Sequence, residues 1–419
     1  MYDNCFPEEK PHGNMLDFKV FTLNCWALAV VSKNRKSRIL AIAEVISKNN
    51  YDVVCLQEVW TNRDFFLLRD GLHKCLPYSH YFYSGVTGSG ICILSKHPIE
   101  ETFFHQWSVN GYIHKLHHGD WWGGKGVALC RLRVKQESTT YFVNVYSTHL
   151  HAEYNRASDD YQAHRVLQAY DTAQFILLTS GSSDLIVLAG DLNTEPGDLA
   201  YRVLLTVPGL KDAYIEAGNV SQEKFATCEA LQNSYTPAGM VKQKLLGKRI
   251  DYVMYHPGSG VNVDLKKYCL PLPDRVPNQT YSYSDHEAIY VELLLTKGPT
   301  SAKKCLDDSS KGQVLEECIV LCNEALKSIS KTKFLYWSAV IILFILFLIS
   351  LIVPALVEFD FTQGIPTVVA IIRVIVTALF LFCFLMATLW SRIEMHGVLS
   401  GKLAMEMSLK KIRECPQAL

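Results

Sequence analysis

Two long apolar stretches near the C-terminus constrain this chain more than any other feature. Phe334 to Val357 runs for about 24 residues without a charge, and Pro366 to Trp390 is as long with the single charge Arg373; each can cross a hydrocarbon layer of about 30 Å. We read two transmembrane helices, 334–357 and 366–390. Glu358 to Ile365 between them has no Lys or Arg, whereas Lys327, Lys331 and Lys333 precede the first span and Arg392 and Lys402 follow the second. The positive-inside bias places both flanks in the cytosol and the loop 358–365 in the lumen. Met1 to Gly13 is polar, with no apolar core for a signal peptide, so a polar segment 1–16 and a large cytosolic domain, 17–296, are expected. The 13 Cys, an odd number without CxxC spacing, then read as reduced thiols, and the sequons at Asn219 and Asn278 as unglycosylated. With 41 basic against 41 acidic residues, binding of a polyanion through bulk charge is not indicated.

Within 17–296, apolar runs too short for helices end in polar groups. Ser183-Asp-Leu-Ile-Val-Leu-Ala-Gly-Asp191 is a buried strand delivering Asp191, with Asn193 two residues on. The strand from Asp17 ends at Asn24, that from Asp52 at Glu58, and that from Thr140 at His149. Two more strands begin with such groups, at Asp251 and after Asp285-His286. Helical spacing at Ile39, Ile42, Ala43 and Ile46, and again through 157–179, alternates with these strands. If the two sets of strands run in opposite directions, all six ends share one mouth, and the architecture is an α/β fold, a four-layer α/β/β/α sandwich.

The loop from Tyr112 to Gly126 packs three histidines with Asp120, Trp121, Trp122 and Lys125. Its glycine pattern begins like a nucleotide-binding loop, but Gly126 stands where Ser or Thr should hold magnesium and a strand follows instead of a helix. That reading is rejected. Trp121 and Trp122 fit either a core or a surface facing lipid or a quaternary ammonium group. The linker 297–333 carries apolar residues at Leu315, Cys318, Ile319, Cys322, Leu326 and Ile329. That spacing fits an amphipathic helix toward the membrane or a solvated linker helix, followed after the spans by a cytosolic tail, 391–419.

Glu58, Asn24, Asp191, Asn193 and Asp285 offer hard oxygens and no thiolates, which suits magnesium better than zinc. His149 and His286 add a base and a donor, and Asp251 can orient one of them. The reaction this predicts is water attack on phosphorus.

The ordered motifs LQEVW, SKHPI, THLHAEY, GDLN, RIDYV and SDHEA resemble the magnesium-dependent endonuclease/exonuclease/phosphatase superfamily over about Phe18 to Leu295. FTLNCW, HHGDWWGGK, HLHAEY and the paired spans resemble its two-span neutral sphingomyelinases. The resemblance implies a DNase I-like sandwich followed by a transmembrane hairpin, and hydrolysis of sphingomyelin in a bilayer to ceramide and phosphocholine. It implies Glu58 as the Mg2+ ligand with Asn24 and Asp285 in support, and His149 and Asn193 on the phosphoryl oxygens. His286 would be the base, Asp251 its orienting partner and Asp191 the residue that orients the water. Asp120 and Lys125 would form a regulatory loop, and anionic lipids are candidate activators. An intracellular membrane such as the endoplasmic reticulum is the expected location, and the oligomeric state is open. A phosphoinositide phosphatase would want a basic mouth. A nuclease would want a basic face, so no nucleic-acid partner is expected. An inactive membrane module would lack some of these side chains.

Overall fold

A computed structural model of the chain describes residues 15–115, 117–218, 225–298, 308–356 and 365–414. The sequon at Asn219, nearly all of the polar segment 1–16 and the expected luminal loop up to residue 364 lie outside the described residues. Among the described residues twelve strands are formed: β1 (Met15–Asn24), β2 (Val53–Gln57), β3 (Tyr78–Tyr81), β4 (Cys92–Ser95), β5 (Ile99–Gln106), β6 (Gly126–Gln136), β7 (Thr139–His149), β8 (Leu185–Asp191), β9 (Lys211–Asp212), β10 (Asp251–Pro257), β11 (Val261–Cys269) and β12 (Ile289–Lys297). They build two 6-stranded sheets, ordered β11-β12-β1-β2-β4-β3 and β5-β6-β7-β8-β10-β9. Each sheet has a central parallel pair, β1 with β2 and β7 with β8. Antiparallel β12 flanks the first pair and antiparallel β10 the second.

Side-chain alternation places these strands. On β1, Phe18 and Val20 enter the core between the sheets, while Phe21 and Leu23 face outward, under α1 (Arg35–Ser47) and α2 (Asn62–Leu72). α1 buries Ile39, Ile42 and Ile46 on one stripe, and Thr61 caps α2 by accepting from the Asp64 N–H at 3.2 Å. On the other sheet Tyr146 of β7 points outward, its hydroxyl 2.6 Å from Thr179 of α3 (Gln162–Thr179). The result is the expected four layers, with Val53, Cys55, Val143, Val145, Leu185, Val187 and Val253 buried in the middle. Each such residue contributes roughly 1.5–3 kcal/mol by leaving water.

Along the inward row of each central strand the chemistry changes toward one end. Apolar residues give way to Thr22, Gln57 and Ser147, fully or almost fully buried, where Gln57 donates to Ser147 Oγ at 3.1 Å and to Thr22 Oγ1 at 3.2 Å. This polar layer stitches the two sheets together and satisfies its own donors. Continuing two residues on each of β1, β7 and β8, with Asp251 opening β10, the same parity delivers Asn24, His149, Asp191 and Asp251. Asn24, His149, Asp191 and Asp251 thus end rows that run through the core.

The chain divides into two compact units, Met1–Val314 and Leu315–Leu419. One continuous helix, Asp308–Leu356, most of it in the second unit, contains both the linker stripe and the first apolar stretch. A helix Ile365–Leu385 passes through a π segment, Met386–Trp390, into a helix Ser391–Glu414. Both long helices are long and apolar enough to cross a membrane by length and composition. Arg373, the lone charge of the second stretch, donates to the Ser350 carbonyl at 2.8 Å, so the two lie side by side. The stripe at Leu315, Cys318 and Cys322 is buried, and the tail helix buries Val398, Met405, Leu409 and Ile412. Arg413 reaches Glu316 at 2.6 Å. The tail helix therefore packs beside the stripe, a pairing expected neither from a membrane-facing helix nor from a solvated one.

Candidate active site

The strand ends meet at a cleft of about 1060 Å³. Its floor includes Glu58, His149, Asp191, Asn193 and His286, and its walls include Trp60, Tyr83, Trp122 and Tyr154. Three residues just past the strand ends adopt left-handed backbone conformations, Trp26 (φ 44), Glu58 (φ 57) and Asn193 (φ 44). Non-glycine residues rarely do so, and such strain concentrates at functional sites. Gly190 makes the close approach on β8. Its φ is +148, and a Cβ there would meet the Thr148 carbonyl oxygen at 2.1 Å, so only glycine lets Asp191 stand beside His149.

His286 lies between two acids. Its Nδ1 is 2.8 Å from Asp251 Oδ2 and its Nε2 is 4.0 Å from Asp191 Oδ2. Burial opposes charge on this ring, but Asp251 and the Cys228 thiol outweigh it and raise its proton affinity well above the usual imidazole range. Burial and the nearby Asp251 push the Asp191 carboxyl up to about 7. His149 is the opposite case. Burial and then Lys125 hold it neutral, far below its ordinary value, with its Nε2 3.4 Å from Asp191.

Asn24 turns its amide nitrogen to the acids, donating to Glu58 Oε1 and Asp191 Oδ2, each at 3.0 Å, while its oxygen accepts from the Trp26 N–H at 2.9 Å. In this rotamer Asn24 orients the two carboxylates rather than offering them a third oxygen. Asn193 donates its amide to the Leu150 carbonyl at 3.1 Å and its N–H to Asp191 Oδ1 at 2.9 Å. Asp285 is half-buried, and burial raises its carboxyl; burial and then the Asp285 charge raise that of Glu58.

The glycine loop docks against the same floor. Gly119–Trp122 is a short 3₁₀ turn, and Lys125 leads directly into β6, as the rejection of a nucleotide loop requires. Lys125 is fully buried, 2.8 Å from Asp120 Oδ1 and 3.2 Å from His149 Nε2, and donates to the Leu150 carbonyl at 3.1 Å. Asp120 Oδ2 in turn accepts from the Ala152 N–H at 2.7 Å. Burial would raise the Asp120 carboxyl, but Lys125 and His151 more than reverse it and hold it ionised. Trp121 and Trp122 stack at 4.0 Å between centroids; Trp122 lines the cleft and is partly exposed.

Sequence reasoning passed over three residues that hold this arrangement. Arg38, buried on α1, donates to the carbonyls of Cys25 at 2.7 Å, Trp26 at 2.6 Å and Tyr283 at 3.1 Å, tying the end of β1 to the loop before His286. Ser284 donates to the Asn24 carbonyl at 2.6 Å, and Cys228 bridges to His286. The signal for Arg38 was a charged residue adjoining a helix's apolar stripe; Ser284 lay within a motif already read for its neighbours; Cys228 had none.

A divalent cation fits this donor set. Glu58 Oε2 and Asp251 Oδ1 are buried without a hydrogen-bond partner, and the raised carboxyl groups of Glu58, Asp191 and Asp285 mark a shortage of positive charge. Asp191, Asp251 and His286 also bring ligand atoms within 4.8 Å of one another. Hard oxygen donors favour magnesium-like ions over zinc.

An oxygen-rich, base-containing mouth on a two-sheet sandwich defines a hydrolytic class, and residues 21–286 match the Endonuclease/Exonuclease/phosphatase family, to which this chain belongs. It is 39% identical, over 94% of its length and 97% of the relative, to a Drosophila melanogaster protein provisionally named a neutral sphingomyelinase. It is also 39% identical to Homo sapiens sphingomyelin phosphodiesterase 2, over 68% of this chain and 66% of that protein. A solved structure, D. rerio TDP2 humanized by 14 mutations, shares the fold with a TM-score of 0.50 at 16% identity, covering 66% of this chain and 98% of that one.

Proposed function

We propose that this chain is a membrane-anchored, magnesium-dependent phosphodiesterase that hydrolyses sphingomyelin to ceramide and phosphocholine. The observation that carries this reading is the Asp251–His286–Asp191 array beside the orphaned oxygen of Glu58, at the base of a cleft walled by aromatic rings. The names of the Drosophila and human relatives support the substrate. Trp60, Tyr83, Trp122 and Tyr154 offer faces that attract a quaternary ammonium. The described lining carries a single lysine, Lys248, which is paired with Glu153 at 2.5 Å. That favours a singly charged diester over a phosphoinositide headgroup.

Glu58 would hold magnesium, with Asp285 in support and Asn24 orienting the carboxylate. When bound, the ion supplies positive charge for the developing phosphoryl oxyanion and opposes protonation of the groups around it. His286, held through Nδ1 by Asp251, accepts the proton of the attacking water at Nε2. Asp191, 4.0 Å away, orients that water. The new bond is water oxygen to phosphorus, the bond broken is phosphorus to the ceramide oxygen, and that oxygen leaves as the ceramide hydroxyl after taking a proton. His149 stays neutral, and its Nε2 edge, turned to the floor beside Asp191 and Lys125, is the side that would face the phosphoryl oxygens. Asn193 can join it by releasing Leu150.

Hydrolysis in oxygen-18 water tests this. The label is expected in phosphocholine; label in ceramide overturns the mechanism, and phosphate release from phosphoinositides without phosphocholine release from sphingomyelin overturns the substrate. In the proposed topology both flanks of the hairpin are cytosolic. A Thr362→Cys variant is then expected to label only from the lumen, and labelling from the cytosolic side overturns it.

A further inference from the structure

The cleft carries a rim that the chemistry does not use. In the loop between β1 and α1, Leu28-Ala-Val-Val31 lines the cleft opening, with Val30 95% and Val31 68% exposed. From the loop between β3 and β4 come Tyr83 at 65% and Val86 at 80%. The glycine loop adds the half-open ring of Trp122. Three segments distant in sequence thus present apolar side chains around one opening. The second and third are held together, because Gly85 bridges to Gly123 and Thr87 donates to the Trp122 carbonyl at 3.3 Å. Water-soluble surfaces rarely group exposed aliphatic side chains in this way. Lys33 and Lys36, two and five residues after Val31, are exposed, so an apolar tip is followed by basic residues suited to lipid phosphates.

We propose that this rim docks onto a lipid bilayer, with Val30, Val31 and Val86 entering the acyl boundary so that the cleft opens onto the headgroup layer. The proposal rests on the lipid-substrate reading above. The occupant is a bilayer and not a second copy of the chain for two reasons. The same chain carries two helices able to cross a membrane, and the exposed Lys33 and Lys36 that follow the apolar tip closely in sequence supply charge complementary to lipid phosphates. The rim surrounds the opening through which a lipid headgroup must enter.

The test uses the full chain reconstituted in vesicles of phosphatidylcholine, with and without sphingomyelin. A photo-crosslinking phenylalanine derivative is placed at Val30, at Val86, or as a control at Leu178, an 82% exposed residue of α3 away from the cleft. Lipid adducts are expected at 30 and 86 and not at 178, in both vesicle types. Equal labelling at all three positions, no adducts, or chain-to-chain adducts in place of lipid overturns the proposal. The double variant Val30→Ser with Val31→Ser is expected to lose about ten-fold or more of its rate on vesicles. It should keep its rate on a monomeric, water-soluble phosphocholine ester, and equal losses on both substrates overturn the docking role. Lipid adducts without phosphocholine release from sphingomyelin would remove the substrate reading and leave docking standing.

Discussion

Asp191 stands directly opposite Asp251 across the β8–β10 ladder, and both are buried. Like charges facing each other in a sheet are unfavourable, and the His286 ring set against both carboxylates offsets them. Replacing His286 by Ala removes the base of the metal-loaded site and, without metal, the cation that compensates the two acids. The expected loss in turnover is about 10²–10⁴-fold, with a lower thermal midpoint at neutral pH. Asp251→Asn is expected to lose less, because the base survives with poorer orientation. Retention of most activity in His286→Ala would refute the assignment.

Glu58→Gln is expected to abolish magnesium-supported turnover without harming the fold. The raised carboxyl of Glu58 means that burying its charge costs stability as pH climbs through the folded-state value, a cost Gln lacks. Without metal, the variant's melting temperature should equal or exceed that of the parent at neutral pH. Titration calorimetry should show weakened magnesium binding, and unchanged binding would reject Glu58 as a ligand.

Lys125→Ala should slow turnover more than it weakens association with vesicles. The ammonium group is enclosed by Asp120, His149 and Leu150, so its loss disturbs His149 and leaves the Asp120 charge unpaired. Lost vesicle binding with an intact rate on detergent-dispersed substrate would make the loop a docking surface instead.

Gly190→Ala should destabilise the first unit by roughly 2–3 kcal/mol or more, since the methyl group would lie 2.1 Å from the Thr148 carbonyl at a φ of +148. Activity should fall with it, because relief comes only by moving β8 away from β7. A thermal midpoint within a degree or so of the parent's would contradict this.

Burial, then His151 and Arg165, hold His164 down to about 3, against an ordinary 6.5. Between these values the unfolded chain binds the proton and the folded chain does not. Stability is therefore complete above about 6.5 and falls as pH drops toward 3, by up to roughly 1.4 kcal/mol per pH unit. Denaturant midpoints across this range should show a shallower slope for His164→Phe than for the parent.

Most of the floor was legible in sequence because each residue ends or begins an apolar run, so Asn24, Glu58, His149, Asp191, Asp251 and His286 announce themselves by breaking a pattern. The mixed strand directions that bring them together were inferred only from the need for a shared mouth. The roles of Arg38 and Ser284 were hidden because they act through backbone carbonyls, which leave no trace in spacing. The tail helix was passed over for a related reason: its stripe of Val398, Met405 and Leu409 is diluted by polar residues and gains meaning only beside Leu315 and Cys318.

The rows that run from Val20 through Thr22 to Asn24, and from Val187 through Ala189 to Asp191, make membership of the site a matter of counting. Substitutions within these strands change one contact, but inserting or deleting a single residue shifts every later side chain to the opposite face. Such a change would deliver Asp191 to the helix layer and leave Gly190 or Leu192 in its place. Length variation among relatives is therefore expected to avoid the central strands and to collect in the connecting loops. Those loops also carry the rim, so contact with the lipid surface is free to diverge while the floor stays fixed.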